Sequence, residues 1–452
     1  MIDIAKEILK FEDSDNNCYV NEENKITYKE LIRKAREYAS YLKDGNTPVI
    51  IYGHKSVDML VSIISCVLAK RCYVPVDTFM PLKRLSQIIE ETKASIIINN
   101  SENKIDNSIK LDELSINSDI DKLYKDICYI IFTSGSSGKQ KGALLKRKNL
   151  NNFTDYMIKF NSKYKGSNVL NTASFSFDLS VADIYFTLCT GGTLYSYNDS
   201  NDLDYAFKFI KKNNIEYIVA TPTYMKMLIL DKDFCEKNFP SLKCIYFCGE
   251  VLSCNLTDKI FDRFPKIEII NAYGPTEACC AVSMINVNKK YNDPLPVGIM
   301  NNLATKVEIV DDEIILSGDS IFHGYINKEC TDGVYKTGDI GYIKDGLLYC
   351  IGRKDLQIKY KGYRIELSDI ENNLKKCDGV VDSVVIVKKS EDTVKYIKAF
   401  VVTNKKDFDE EQIKKELKDY LPQYMIPKII KKIDEIPVTD NNKIDRRALE
   451  DD

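Results

Sequence analysis

The densest set of side chains able to handle phosphate lies at 127–142, which reads ICYIIFTSGSSGKQKG. An apolar run leads into Thr133, Ser134, Gly135, Ser136, Ser137, Gly138 and Lys139, and Lys141 follows two places on. Small residues let backbone N–H groups approach an anion closely, hydroxyls donate hydrogen bonds, and lysines add charge. A P-loop needs G-x-x-x-x-G-K followed by Ser or Thr. Gly135 and Gly138 stand too close for that spacing and Gln140 follows the lysine, so a P-loop is excluded. The remaining readings are an ordinary flexible Ser/Gly turn and a phosphate loop of another kind. The apolar strand before it and the lysines beside it favour the second.

Such a loop needs a scaffold, and the patterning supplies one. Thr27 and Glu30 form a capping-box pattern that opens a helix with Leu31, Ala35, Tyr38 and Leu42 on one face. Short apolar runs at 49–52, 95–98, 127–132, 215–220, 244–248 and 267–270 read as buried strands, with helical patterns between several of them. That alternation predicts α/β layering around largely parallel sheets. From about Val307 the runs shorten and Gly-Asp turns appear, which predicts a small antiparallel β subdomain. Residues 101–125 read as a polar surface connection. After Asp355 a separate α+β segment runs to residue 452 with 20 basic and 20 acidic side chains. Two domains are expected, a large one at 1–354 and a small one at 355–452.

Composition narrows the chemistry. The 452 residues carry 64 Lys plus Arg against 67 Asp plus Glu, so there is no basic excess to grip a nucleic acid. With only His54 and His323 in the chain, histidine-rich metal sites and a Ser-His-Asp triad are nearly excluded. The 14 cysteines are too sparse for a disulfide scaffold and read as reduced thiols in a cytoplasmic enzyme. The most apolar run, 59–69, is far shorter than the ~20 residues that span a bilayer. It reads as a buried helix, and the N-terminus lacks a signal-peptide pattern. No membrane insertion is expected.

In order along the chain, TSGSSGKQKG (133–142), NAYGPTE (271–277), YKTGD (335–339), GRKDLQIKYKGYRIEL (352–367) and NNKIDR (441–446) resemble the ordered motifs of the adenylate-forming superfamily, and LAKRCYVPVD (68–77) fits a further segment. Gln140 stands where the family has Pro and Asn442 where it has Gly, and the chain is compressed at about 301–336. The resemblance implies a large core domain and a mobile small domain. It also implies ATP-dependent activation of a carboxylate, with Mg²⁺ and with pyrophosphate released. The site would take Thr133, Ser134, Gly135, Ser136, Ser137, Gly138, Lys139 and Lys141 on the phosphates. Asn271, Ala272, Tyr273, Gly274 and Thr276 would line the adenine site, with Tyr273 stacked on the base. Glu277 would hold Mg²⁺, Asp339 would accept from the ribose hydroxyls, and Arg353 would lie near ribose or phosphate. Lys443 would contact the α-phosphate and the attacking carboxylate. Asp355 would be a hinge, and Gly362 would line a thiol tunnel after rotation.

The same resemblance bears on the substrate. In amino-acid-activating members, an aspartate at the position of Asp178 in SFSFDLSVADIYFTLCTGGTL (174–194) pairs with the substrate ammonium. Helix N-capping is the ordinary alternative for it. Leu179, Ala182, Ala272, Cys248 in FCGEVL (247–252), Cys280 and Ala281 would line the pocket. The implied substrate is a small amino acid, D-alanine first, passed to the phosphopantetheine thiol of a separate carrier protein for teichoic-acid alanylation. Glycine, β-alanine or L-alanine activation, or a non-catalytic nucleotide-binding role, are the alternatives.

Overall fold

The computed structural model describes residues 2–43, 45, 47–113, 124, 126–135, 140–198, 202–288, 291, 294–299, 304–390, 393–405, 407–437 and 444–450. They form two compact units. The first comprises Met1–Thr78, Glu91–Ile131 and Ala143–Lys354; the second comprises Phe79–Glu90, Phe132–Gly142 and Asp355–Asp452.

Three sheets carry the first unit, and two strands of one of them, Ile127–Thr133 and Lys141–Lys146, run into the stretch Phe132–Gly142 that is counted with the second. An eight-stranded sheet runs in the order Ser283–Val287, Glu268–Tyr273, Cys244–Phe247, Tyr217–Ala220, Asn168–Asn171, Thr193–Ser196, Asn17–Val20, Lys25–Thr27. All its neighbours pair in parallel except at the two edges. A six-stranded sheet places Gly324–Tyr325 beside Lys141–Lys146, then Ile127–Thr133, Tyr73–Val76, Val49–Tyr52 and Ile96–Asn99. The third sheet has five strands, all antiparallel, from Gly298–Ile299 to Leu347–Arg353. It therefore starts somewhat before Val307, because a short strand at Gly298 pairs with Leu348. Of the connection at 101–125, the described part holds one short 3₁₀ turn at Leu111–Glu113.

Why these residues take these forms is visible locally. The capping box is present: Thr27 accepts from the Glu30 N–H while the Glu30 carboxylate accepts from the Thr27 N–H, opening the helix Tyr28–Leu42. Val57–Ala69, the most apolar stretch, is a helix capped by Ser56 and closed by Lys70 in the left-handed region. Leu179–Thr190 is apolar on nearly every face and is buried from Leu179 to Cys189, as such a helix must be. One continuous core joins it to both parallel sheets, with Val49, Ile51 and Tyr129 from one and Tyr19, Val169, Tyr217 and Ile270 from the other. Fully buried aromatic and aliphatic side chains such as Phe186 contribute about 1.5–3 kcal/mol each by leaving water.

The second unit pairs Gln357–Tyr360 with Tyr363–Glu366 and packs the helix Leu367–Leu374 against strands Val380–Ser390, Thr393–Thr403 and Ile429–Lys432. Its core includes Ile365, Ile370, Leu374, Val385, Ala399 and Leu417. The segment Phe79–Glu90 joins this unit through Arg84, whose Nη2 lies 3.0 and 2.9 Å from the two oxygens of buried Asp369. Burial raises the Asp369 pKa, and the Arg84 guanidinium opposes that shift.

Candidate active site

The motif at 271–277 is the hub of the first unit's polar chemistry. It begins on the C-terminal end of the strand Glu268–Tyr273 and ends in the 3₁₀ turn Thr276–Ala278. The C-terminal ends of parallel strands are where α/β sheets present ligand-binding loops. Asn271 donates to the Pro296 carbonyl at 2.8 Å. Tyr273 donates to Asp339 at 2.6 Å. Thr276 Oγ1 donates to Asp178 Oδ2 at 2.6 Å. Glu277, fully buried, accepts from the Tyr325 hydroxyl at 2.5 Å, and its carbonyl accepts from Phe322 N–H. Gly274 is sterically required, since a Cβ there would meet the Ala281 Cα at 2.6 Å and the Cys280 oxygen at 2.8 Å.

Asp178 precedes the helix Leu179–Thr190, but its side chain makes no capping bond. The N-cap alternative is thereby overturned: Asp178 sits at helical φ/ψ and turns its carboxylate to Thr276 instead. Leu179 and Ala182 follow it, both buried. Cys248 directs its Sγ to the Cys280 carbonyl at 3.6 Å. Cys279 and Cys280 are successive left-handed residues, with φ of 60° and 74°, a conformation that costs energy in residues bearing a Cβ. The Tyr129 hydroxyl lies 3.2 Å from the Cys279 sulfur and braces this turn. Contact with Cys248, then burial, pushes the Cys280 thiol well up, so it stays protonated at neutral pH. Cys248, Cys280 and Ala281 are all core residues, and Ala272 is buried in the strand leading to them.

Asp339 lies opposite Arg353 in the third sheet, and Arg353 Nη1 reaches its Oδ1 at 2.5 Å. Both carboxylate oxygens thus have protein partners, Tyr273 and Arg353. A carboxylate offers about four lone-pair sites. Ribose hydroxyls would therefore join these partners rather than find an open carboxylate. Burial and the nearby Asp339 raise the Tyr273 phenol pKa.

In the second unit, Thr133 Oγ1 lies 3.5 Å from the Lys141 carbonyl. Ser134 Oγ donates to the Arg364 carbonyl and accepts from Glu366 N–H, both at 2.9 Å. Its hydroxyl is engaged with the backbone of the strand Tyr363–Glu366. Gly135 and Lys141 flank Ser136, Ser137, Gly138 and Lys139, which lie outside the described residues, as does Lys443. Asp355 accepts from Gln357 N–H at 3.2 Å, at the start of this unit's last segment. Lys361 and Gly362 both take positive φ, 52° and 83°, as a two-residue hairpin turn requires.

The donor at the end of the motif 271–277 fits Mg²⁺. Glu277 offers a hard oxygen ligand held in place by Tyr325, and Mg²⁺ is usually bound through one or two carboxylates plus phosphate oxygens. Sequence reasoning missed Tyr325 and Tyr129, which are distant in the chain from the groups they orient.

Residues 10–326 match the model of the AMP-binding enzyme family, and 369–443 match the AMP-binding enzyme C-terminal domain. The chain belongs to the AMP-binding enzyme family. Among curated members, a D-alanine–D-alanyl carrier protein ligase from Listeria monocytogenes serovar 1/2a is 37% identical over 96% of this chain and 96% of the relative. A ligase of the same name from Bacillus licheniformis is 35% identical over 97% and 96%. Of solved structures in the family's fold, the o-succinylbenzoate CoA synthetase from Bacillus subtilis superposes with a TM-score of 0.86 at 18% identity, covering 100% of this chain and 99% of that one. A Vibrio cholerae adenylation domain in complex with glycyl-adenosine-5'-phosphate gives 0.82 at 20% identity, over 99% and 97%. No helix among the described residues is long and apolar enough to cross a membrane.

Proposed function

We propose that this enzyme activates D-alanine with ATP and passes it to the pantetheine thiol of a separate carrier protein. The observation that carries the reading is the Asp178–Thr276 pair beside the Cys248–Cys280 turn. A carboxylate at a partly buried site is stabilised by an incoming ammonium, which a fatty or aryl acid lacks. Cys248 contacts this turn, and Cys280 and Ala281 form part of it; a pocket lined by these small side chains would suit a one-carbon substituent. The curated ligases that span nearly the whole chain point to the same acid.

The substrate carboxylate attacks the α-phosphorus of ATP, the P–O bond to pyrophosphate breaks, and a mixed anhydride with AMP remains. The carrier thiol then attacks the acyl carbon as a thiolate and AMP leaves. Two anions must approach in the first step, so the protein's task is electrostatic. Mg²⁺ bound at Glu277 would neutralise phosphate charge. Thr133, Ser134, Gly135, Ser136, Ser137, Gly138, Lys139 and Lys141 are assigned to the phosphates, and Asn271, Ala272, Tyr273, Gly274 and Thr276 to adenine. Asp339 and Arg353 are assigned to ribose, and Lys443 to the α-phosphate and the attacking carboxylate. Asp178 is assigned to the ammonium, with Leu179, Ala182, Cys248, Cys280 and Ala281 shaping the pocket. Asp355 is the proposed hinge between 1–354 and 355–452, with Gly362 serving the thiol step. The 14 cysteines are all free, which fits a reducing cytoplasm.

ATP–pyrophosphate exchange measured across D- and L-amino acids tests the reading. D-alanine should support the fastest exchange. Asp178→Asn should raise the amino-acid KM at least tenfold, and Lys443→Ala should abolish exchange while leaving the circular-dichroism spectrum intact. Exchange that is unaltered in both variants would overturn it.

A further inference from the structure

Asp178 ends a loop, 172–178, that joins the strand Asn168–Asn171 to the helix Leu179–Thr190. The loop is tied at its start, where Thr172 Oγ1 donates to the Val219 carbonyl at 2.8 Å and the Thr172 carbonyl accepts from Lys55 Nζ at 3.2 Å. Its middle is tied from the other parallel sheet. Asp77 directly follows the strand Tyr73–Val76, and His54 lies just beyond the neighbouring parallel strand Val49–Tyr52. Asp77 is wholly buried, and its Oδ2 accepts from His54 Nδ1 at 2.7 Å and from the Ser174 hydroxyl. Ser174 Oγ in turn accepts from Ser176 N–H at 3.2 Å, and the Ser174 carbonyl accepts from Phe177 N–H at 3.0 Å. Ser174 therefore closes the turn that delivers the chain to Asp178.

A buried carboxylate is costly to keep unless donors meet it; at Oδ2 the donors are a loop hydroxyl and an imidazole, and the Thr78 hydroxyl donates to Oδ1 at 3.4 Å. Neither group contacts Asp178 in the bonds described above. Their effect on Asp178 passes through the backbone of four residues.

We propose that Ser174 and Asp77 are positioning residues for the substrate ammonium, fixing the loop so that the Asp178 carboxylate stands where the ammonium arrives. This rests on the reading of Asp178 given above, and the test separates the two. Ser174→Ala leaves His54 as a donor to Asp77, so the buried carboxylate is not stranded and the fold is retained. Loss of a hydrogen bond to a charged group corresponds to a rise of roughly tenfold or more in the D-alanine KM. The ATP KM should stay within about twofold.

The decisive measurement is a double-mutant cycle on the amino-acid KM. In an Asp178→Asn background, Ser174→Ala should add nothing, because the group it positions has gone. An equal multiplicative effect in both backgrounds, or a parallel rise in the ATP KM, would mean a merely structural role and overturn the inference. If Asp178→Asn alone leaves the D-alanine KM unchanged, it is the underlying assignment of Asp178 that fails.

Discussion

At the residue scale, the motif 271–277 makes one short segment answer to several distant ones. Thr276 reaches Asp178 across 98 positions, Tyr273 reaches Asp339 across 66, and Tyr325 reaches Glu277 across 48. Those separations explain what could be read from the chain and what could not. The identities of Asp178, Glu277, Tyr273 and Asp339 are set by local strings with recognisable spacing. Their partners depend on how strands are ordered in the sheets, which no local string encodes. Asp178 shows the difference: its place before a helix was legible, and the capping role such a place suggests was the wrong one. Tyr325 gives a prediction at this scale. Groups that orient a metal ligand, the role proposed above for Glu277, typically matter by 10–100-fold in metal affinity. Tyr325→Phe should raise the Mg²⁺ concentration for half-maximal exchange by about tenfold, with the D-alanine KM little altered, as a Mg²⁺ titration of the exchange rate will show.

At the element scale, patterns of short period were legible and pairings were not. The helix Tyr28–Leu42 announced itself through its capping box, and the helix Val57–Ala69 through its apolar density. The strand predicted at 267–270 continues to Tyr273, because the apolar run is interrupted at Asn271 while the backbone pairing carries on. Thr193–Ser196 lacks the continuous apolar run that marked Val49–Tyr52, and Gly324–Tyr325 has only two residues, so their neighbours in the sheet define them. The capping box offers a direct check. Thr27→Ala removes the side-chain acceptor for Glu30 N–H and should lower stability by about 1 kcal/mol, read as a shifted urea midpoint with unchanged slope.

At the scale of the whole molecule, the buried thiols set an alkaline limit. Burial lifts the Cys66 thiol from 9.0 to about 12 and the Cys128 thiol to about 11. Cys18, Cys189, Cys244 and Cys279 are lifted by the same cause. Groups raised in the folded state support it fully below their unfolded pKa and lose that support as pH climbs toward the folded value. Lys55 works the other way. Burial lowers it from 10.5 to about 8, so between those values the unfolded chain holds more protons and stability from this group rises with pH. One lysine opposes many thiols, and the balance should fall. The thermal midpoint is expected to hold from about pH 7 to 9 and to drop steadily above that, in scans run with a reductant present.

The second compact unit draws on three separate stretches of chain, and this has a practical meaning for anyone who would dissect the molecule. A fragment starting at Asp355 would inherit Asp369 without the guanidinium of Arg84, and the strand Tyr363–Glu366 without the hydroxyl of Ser134. The fragment would also lose the packing that the stretches Phe79–Glu90 and Phe132–Gly142 contribute to the unit, so it should be less stable than the same residues in the whole chain. A single cut before Asp355 therefore divides the second unit, even though the sequence changes character abruptly there.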